Sequence, residues 1–361
     1  MRVLKLNLKK RSYNIVIADN AIKHLGRYIS GLNIGSSAYV ITNTPINKRH
    51  GKSLDKILKG SGLEVRFKLI PDTEKSKSIE MVSTIIRDLT AYDKKRRIFI
   101  VAFGGGVIGD LAGFIASIYR RGIAYIQLPT TLLAQVDSAI GGKTAVDLTQ
   151  GKNLLGAFYQ PKLVLSDIKF LKTLNARQIR NGLAEIIKYG IIKDARLFAY
   201  LEKNYRDIIK LKTSALEFII TRCSDIKAKI IQQDEREEKG MRTILNFGHT
   251  IGHAIEAAGR YKKYSHGEAI ALGMLAACGV SKRLNLIDDS VAERIKGLIE
   301  KVNLPARIKN IPLSDIIKAH YRDKKFSGSK NKFVLIKGIG KACVKENIPL
   351  KVIQEAVKEI L

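Results

Sequence analysis

The segment Ile98-Phe-Ile-Val-Ala-Phe-Gly104-Gly105-Gly106-Val-Ile-Gly109-Asp110-Leu-Ala-Gly113-Phe114 constrains the fold of this chain more than any other stretch. Its first six residues are all apolar, which leaves no polar face for solvent and predicts a strand covered on both sides, as in parallel sheets flanked by helices. Glycines end the run and a helical pattern begins at once. Without Cβ atoms the backbone can turn sharply and bring N–H groups against a phosphate at the helix N-terminus, where the helix dipole also favours an anion. The same glycines would equally serve a turn that only lets strand and helix pack closely. Gly104, Gly106 and Gly109 satisfy GxGxxG, yet the next apolar run, Ala124 to Leu128, lacks the ribose-binding acid of the ordinary Rossmann fingerprint.

The surrounding sequence repeats this theme. The alternating pair Val3 to Leu8 and Tyr13 to Ile17 is followed by short apolar runs at Ala38 to Thr42, Arg97 to Phe103, Ala124 to Leu128 and Leu163 to Ser166, with helical stretches between them. That order predicts an α/β domain with a mostly parallel, Rossmann-like sheet over residues 1–170. From Thr173 onward the texture becomes long amphipathic segments such as Leu216 to Gln232 and Ser290 to Val302, predicting an α-helical C-terminal domain over 171–361. Near the end, Phe333 to Ile336 and Ala342 to Val344 flank a glycine-containing turn and predict a hairpin.

Composition excludes several classes. Of 361 residues, 45% are hydrophobic and 27% charged, so the chain has a core to bury. The three cysteines, Cys223, Cys278 and Cys343, have no CxxC spacing and support neither a disulfide framework nor cysteine-ligated zinc. The longest apolar run, Ala269 to Val280, is shorter than the roughly 18 to 20 residues of a membrane span. The N-terminus reads as a strand with charges throughout, so a soluble, cytoplasmic protein is expected. Sixty-four Lys and Arg against 33 Asp and Glu give a net charge of +31, which calls for an anionic partner. The basic residues are scattered and form no nucleic-acid-binding module, so a small anionic substrate is expected, with no nucleic acid and no membrane.

Three further constellations carry chemistry. Asp137-Ser-Ala-Ile-Gly141-Gly142-Lys143-Thr-Ala-Val-Asp147 and Gly151-Lys152-Asn153-Leu-Leu-Gly156 place lysines among glycines, a pattern suited to a polyanion or to solvated surface lysines. It is not a P-loop, because Asp137 stands where the first glycine must be. Three of six histidines, His249, His253 and His266, fall within 18 residues, the first two on one helical face. Such clustering suits a divalent metal held by imidazoles plus a carboxylate from elsewhere, or histidines satisfied by nearby carbonyls; Thr250 excludes HExxH. In Asn181-Gly-Leu-Ala-Glu185-Ile-Ile-Lys188-Tyr-Gly190 a Glu–Lys pair sits three apart in an apolar setting, either lining a cleft or forming a surface ion pair.

Taken together, GGGVIGDLAGF, RRG, LPTTLLAQVDSAIGGKTAVD, GKNLLGAF, LAEIIKYG, NFGHTIGHAIE and SHGEA resemble the 3-dehydroquinate synthase family, in family order from about residue 72 to 325. The resemblance implies a lyase of the shikimate pathway that binds NAD⁺ on the α/β domain and zinc or cobalt on the helical domain, as a homodimer. It would convert 3-deoxy-D-arabino-heptulosonate 7-phosphate to 3-dehydroquinate and phosphate. The hydride would leave the substrate and return within one turnover. Other sugar-phosphate cyclases, such as 2-deoxy-scyllo-inosose synthase, and metal-dependent glycerol-type dehydrogenases are the alternatives.

By motif position the resemblance makes Glu185, His249 and His266 the metal ligands, with His253 a non-ligand facing substrate. It assigns Asp72, Glu74, Lys75, Lys77, Gly105, Gly106, Val107, Ile108, Gly109, Asp110, Thr130, Thr131, Phe170, Leu171, Lys172 and Thr173 to the cofactor, with Asn43 where Ile41 and Thr42 offer no acid for a ribose. Asp137, Lys143, Lys152, Asn153, Lys188, Arg242, Asn246 and His253 fall on substrate positions, Lys143 and Lys152 near the cofactor as well. Arg121 matches an arginine reaching across the dimer to the phosphate, and Lys324 or its neighbour Lys325 another phosphate ligand.

Overall fold

The structure, a computed structural model, describes residues 1–93, 97–322 and 331–361. Contacts divide it into two compact units, Met1–Leu174 with Leu216–Arg236, and Asn175–Ala215 with Glu237–Leu361.

The first unit is built on a seven-stranded sheet. Its strands are β1 (Arg2–Leu6), β2 (Tyr13–Ala18), β3 (Ser37–Asn43), β4 (Glu64–Ile70), β5 (Ile98–Gly104), β6 (Tyr125–Pro129) and β9 (Leu163–Asp167), in the order β1-β2-β9-β6-β5-β3-β4. Only the β1–β2 pair is antiparallel. Between β6 and β9 the chain forms a separate antiparallel hairpin, β7 (Lys143–Leu148) and β8 (Gly151–Phe158).

The β5 run behaves as its composition predicts. Phe99, Val101 and Phe103 enter a core with Leu25 and Ile29 of the helix Leu25–Leu32 and with Leu54 and Leu58 of the helix Lys52–Gly60. Ile98, Ile100 and Ala102 enter a second core with Val82, Ile85 and Leu89 of the helix Ile79–Tyr92 and with Leu111 and Ile115 of the helix Gly106–Ile118. Period-two alternation splits one apolar run between two cores, so the strand is central.

The division differs from a single cut at residue 170. Residues 168–173 form a 3₁₀ turn continuous with β9, and most of the helix Thr213–Gln233 returns to the first unit. Polar anchors explain the return. The Lys227 ammonium donates to the Asp137 carbonyl at 2.8 Å and its carboxylate at 2.7 Å. The Gln232 amide oxygen accepts from the Asn7 N–H, and Arg11 forms a two-pronged contact with Glu235.

The second unit is helical apart from the hairpin β10 (Lys332–Ile336) and β11 (Ala342–Glu346). Its centre is the helix His266–Arg283, buried at every position from Ala269 to Ser281. The apolar run too short for a membrane is therefore a core helix, wrapped by the helices Ala176–Lys193, His249–Ala258, Asp289–Lys301 and Leu350–Lys358. Among the described residues no helix is long and apolar enough to cross a membrane. At the crossing with His249–Ala258 a Cβ on Gly273 would stand 1.9 Å from the Gly248 carbonyl oxygen. That contact is with backbone and has no flexible end to move aside. Gly273→Ala should therefore force the two helices apart and cost about 2 kcal/mol or more, read as a lowered denaturant midpoint with an unchanged slope.

Candidate functional site

Each unit gathers its own set of functional side chains. In the second unit the helix Ala176–Lys193 starts at a capping box, the Asn175 carboxamide accepting from the Gln178 N–H while the Gln178 side chain accepts from the Asn175 N–H. The helix His266–Arg283 starts similarly, with the Glu268 carboxylate accepting from the Ser265 N–H at 2.7 Å. Arg177 ties the two starts together by a two-pronged pair with Glu268, and the Gly267 N–H donates to the Asn181 side chain. These contacts bring Glu185, in the third turn of one helix, beside His266, the first residue of the other.

Glu185 has no exposed side-chain surface. Its Oε1 lies 3.5 Å from His249 Nε2 and 3.4 Å from His266 Nε2, and its Oε2 pairs with the Lys188 ammonium. Two ligands about 2.1 Å from a tetrahedral ion stand about 3.4 Å apart, so these separations fit a divalent cation held by two imidazoles and a carboxylate. The donor atoms of Glu185, His249 and His266 all lie within 4.8 Å of one another. His249 Nδ1 faces the Phe247 carbonyl at 3.1 Å, which leaves Nε2 as the ring nitrogen available to a cation. His266 Nδ1 faces Glu256 Oε2 at 3.6 Å, so a second carboxylate orients that ring from behind.

The protonation of the two imidazoles differs for physical reasons. Burial, aided by the Lys188 charge, holds His249 well below the usual histidine range. Burial lowers His266 too, but hydrogen bonds and charge from Glu185 and Glu256 outweigh it and push the ring up to about 10. The proton that Glu185 and Glu256 favour on the His266 ring is the charge a divalent cation would replace.

His253 lies near both rings, 5.3 Å from His249 and 6.3 Å from His266 between centroids. With Glu256 and His266 it forms a second possible cation-holding group. The Arg242 side chain is buried with Nε 3.4 Å from Glu237, and Asn246 ends the same 3₁₀ turn, Met241–Asn246. Lys324 and Lys325 lie outside the described residues.

In the first unit the helix Gly106–Ile118 begins behind Gly105 with no side chain capping its first turn, so its N–H donors are available to an anion. Around it the chain assembles residues far apart in sequence. The buried Lys77 ammonium donates to Asp110 at 2.8 Å and to Asn153 at 2.5 Å. Glu74 lies 3.9 Å from Lys77 and 3.7 Å from Lys152. Burial lowers the Lys77 pKa and raises that of Asp110, while their mutual attraction acts against burial on both; Lys77 ends above its ordinary range and so does Asp110.

At the exits of two neighbouring strands, where Ile41 and Thr42 offer no acid, the Asn43 amide donates to Asp72 Oδ1 at 2.7 Å. Thr131 lies beside Gly105, and the Thr130 N–H donates to the Gly104 carbonyl. Ile108, Phe170 and Leu171 are core side chains, with Phe170 packed edge-on to Phe103, whereas Lys75 and Lys172 are exposed. Thr173 Oγ1 donates back to the Phe170 carbonyl. Val107 and Gly109 lie in the first turn behind Gly106, Lys143 opens β7, and Arg121 is exposed in the turn after the helix Gly106–Ile118.

Two residues escape the sequence reading. Glu256 is readable as one helical turn beyond His253, and Lys227 only as a lysine in an apolar helix, with nothing local to link it to Asp137.

The family model described as 3-dehydroquinate synthase N-terminal matches residues 67–181, and that described as 3-dehydroquinate synthase C-terminal matches residues 182–326. The 3-dehydroquinate synthase of Thermoanaerobacter pseudethanolicus is 45% identical over 357 residues, 98% of this chain and 100% of that one. That of Caldanaerobacter subterraneus subsp. tengcongensis is 46% identical over 354 residues, 97% and 99% of the two chains. Among solved structures, a 2-deoxy-scyllo-inosose synthase complexed with carbaglucose-6-phosphate, NAD⁺ and Co²⁺ superposes with a TM-score of 0.91 at 27% identity, covering all of both chains. The 2-epi-5-epi-valiolone synthase of Streptomyces hygroscopicus, with NAD⁺ and Zn²⁺ bound, gives 0.88 at 27% identity over 100% of this chain and 99% of that one. A glycerol dehydrogenase from Sinorhizobium meliloti, at 15% identity, shares the fold with a TM-score of 0.64, over 96% of this chain and 95% of that one. Matched by both models across residues 67–326 and by relatives over nearly its whole length, the chain belongs to the 3-dehydroquinate synthase family.

Proposed function

We propose that this chain converts 3-deoxy-D-arabino-heptulosonate 7-phosphate to 3-dehydroquinate and phosphate, using NAD⁺ and a divalent metal, zinc or cobalt. The observation that carries this reading is the Glu185–His249–His266 triad at cation-holding separations, in a chain 45% identical to a 3-dehydroquinate synthase. The cyclases of other specificity stand at 27% identity and the dehydrogenases at 15%, so both alternatives rest on less.

When bound, the metal would supply a Lewis acid for a substrate hydroxyl, and NAD⁺ a hydride acceptor that becomes the donor later in the same turnover. Glu185, His249 and His266 would hold the first. Asn43, Asp72, Glu74, Lys77, Asp110 and the Gly105–Gly109 turn would hold the second, with Thr130, Thr131 and the Phe170–Thr173 turn around them. Lys143, Lys152, Lys188 and Arg242 are assigned to the substrate's phosphate and carboxylate, because cations at fixed positions orient an anion without having to move protons. Asp137, Asn153, Asn246 and His253 are assigned to its hydroxyls. The Lys227 contact fixes the Asp137 carboxylate for that task.

We further assign the protein to the cytoplasm as a homodimer, with the exposed Arg121 of each subunit serving the phosphate in the site of its partner. An arginine fork suits a phosphate, which accepts two hydrogen bonds at once.

Three measurements test this reading. Metal analysis of purified variants should show His249→Ala and His266→Ala without bound metal, His253→Ala with most of it, and Glu256→Gln with affinity reduced about 10- to 100-fold by loss of the carboxylate behind His266. Equal metal loss in all four would reject the ligand assignment. Substoichiometric NAD⁺ should sustain many turnovers with no NADH accumulating alongside product, whereas NADH formed in step with product would indicate a dehydrogenase. Finally, at substrate concentrations well below KM, random subunit exchange between Arg121→Ala and Lys152→Ala dimers should restore about a quarter of wild-type activity, since about half the dimers are then mixed and each mixed dimer has one intact, independent site of two under two-fold symmetry. No recovery despite demonstrated exchange would place Arg121 outside the partner's site.

A further inference from the structure

The turn after the helix Gly106–Ile118 carries three successive residues in positive-φ conformations: Arg120 at φ 49°, Arg121 at φ 63° and Gly122 at φ 123°. Two adjacent non-glycine residues with left-handed backbone persist only where the surroundings over-determine them. The surroundings are specific here. The Gly122 N–H donates to the Tyr119 carbonyl and the Ile123 N–H to the Ala116 carbonyl, both at 2.9 Å, while the Tyr159 hydroxyl donates to the Ile123 carbonyl at 2.8 Å. These contacts close the turn, but none of them holds the arginine side chains.

That role falls to Asp93. Its carboxylate, with no exposed side-chain surface, accepts from the Tyr119 hydroxyl at 2.9 Å and lies 3.0 Å from Arg120 Nη2. The two neighbouring arginines, both exposed at the surface, differ in their partners: Arg120 folds back onto the buried Asp93 carboxylate, and Arg121 follows it out of the turn. A freely rotating arginine loses side-chain entropy when it binds; one whose backbone is already fixed loses less.

We propose that Asp93, acting through Tyr119 and Arg120, is a positioning residue that sets the direction in which Arg121 leaves the surface, and thereby sets affinity for the substrate's phosphate more than turnover. The inference rests on the reading of Arg121 as a phosphate ligand. It adds that an ion pair one residue away determines how well that ligand performs.

Steady-state kinetics with the heptulosonate phosphate, competition by inorganic phosphate and thermal melting, all on the full-length metal- and NAD⁺-loaded enzyme, test it. Arg121→Ala is the reference and should raise KM about tenfold or more, as loss of a charge-assisted contact does. Arg120→Gly should raise KM and weaken phosphate competition about three- to tenfold, with kcat changed less than twofold, from misdirection of the ligand. Its melting temperature is not the deciding readout, because glycine relieves the strain of φ 49° while the buried Asp93 carboxylate loses its cation. Arg120→Lys should recover most of the wild-type KM by restoring the pair with Asp93. In an Arg121→Ala background, Arg120→Gly should add nothing further.

If Arg121→Ala raises KM but Arg120→Gly does not, or if Arg120→Gly lowers only the melting temperature, the clamp is overturned and the reading of Arg121 stands. Additive effects in the double variant would also overturn the clamp, by showing that Arg120 acts other than through Arg121. If Arg121→Ala leaves KM unchanged, the reading of Arg121 falls and the clamp with it.

Discussion

Glu185 is a carboxylate without access to solvent, and an ionised carboxylate taken out of water must be met by positive charge or lose its own. Lys188 on the same helix meets one oxygen, and two imidazoles from other helices converge on the other. The helical unit is arranged around that requirement. The paired helix caps, the Arg177–Glu268 bridge and the close crossing at Gly273 all bring the helices near enough for the converging groups to reach one another. Relax any of these and a buried charge is left without its partners, which is more costly than an absent contact between apolar groups.

The same logic, with opposite sign, organises the first unit. Lys77 is a buried cation satisfied by Asp110 and Asn153, which arrive from the glycine-rich turn and from the β8 hairpin strand. A lysine fixed in this way also fixes its acceptors, so the walls of the region proposed to bind NAD⁺ are already oriented before a ligand arrives. Preorganisation of this kind lowers what a ligand must spend on ordering its site.

How much of this was legible beforehand depended on whether the signal was local. The β5 run and its glycines were readable because two-sided burial excludes polar residues and leaves a continuous apolar string. The histidine cluster was readable because a helix returns to the same face every three or four residues. Strand β4, Glu64–Ile70, carried the same period-two signal as Val3 to Leu8, Arg66 and Lys68 alternating with apolar residues as suits an edge strand, and was passed over for its basic side chains. The β7–β8 hairpin was hidden for another reason: its lysines and glycines have low strand propensity. Long-range pairs such as Lys227 with Asp137, Asp72 with Asn43 or Asp93 with Arg120 leave no periodic trace. The proposed metal-holding group itself needed family resemblance to join Glu185 to histidines more than sixty residues away.

The return of residues 216–236 to the first unit bears on how the chain comes off the ribosome. A polypeptide emerging from its N-terminus offers the whole seven-stranded sheet by Leu174, yet the lysine that anchors Asp137 and the acid that pairs with Arg11 are still to be made. About sixty further residues must be synthesised, roughly 3 to 12 seconds at ordinary elongation rates. During that interval the Asp137 carboxylate is without its lysine, while the segment bridging the delay, Asn175–Ala215, belongs to the other unit and includes Glu185. Neither unit is completed in a single pass of the chain, so each must wait on part of the other's sequence, and the order of synthesis couples their folding even where no side chain does.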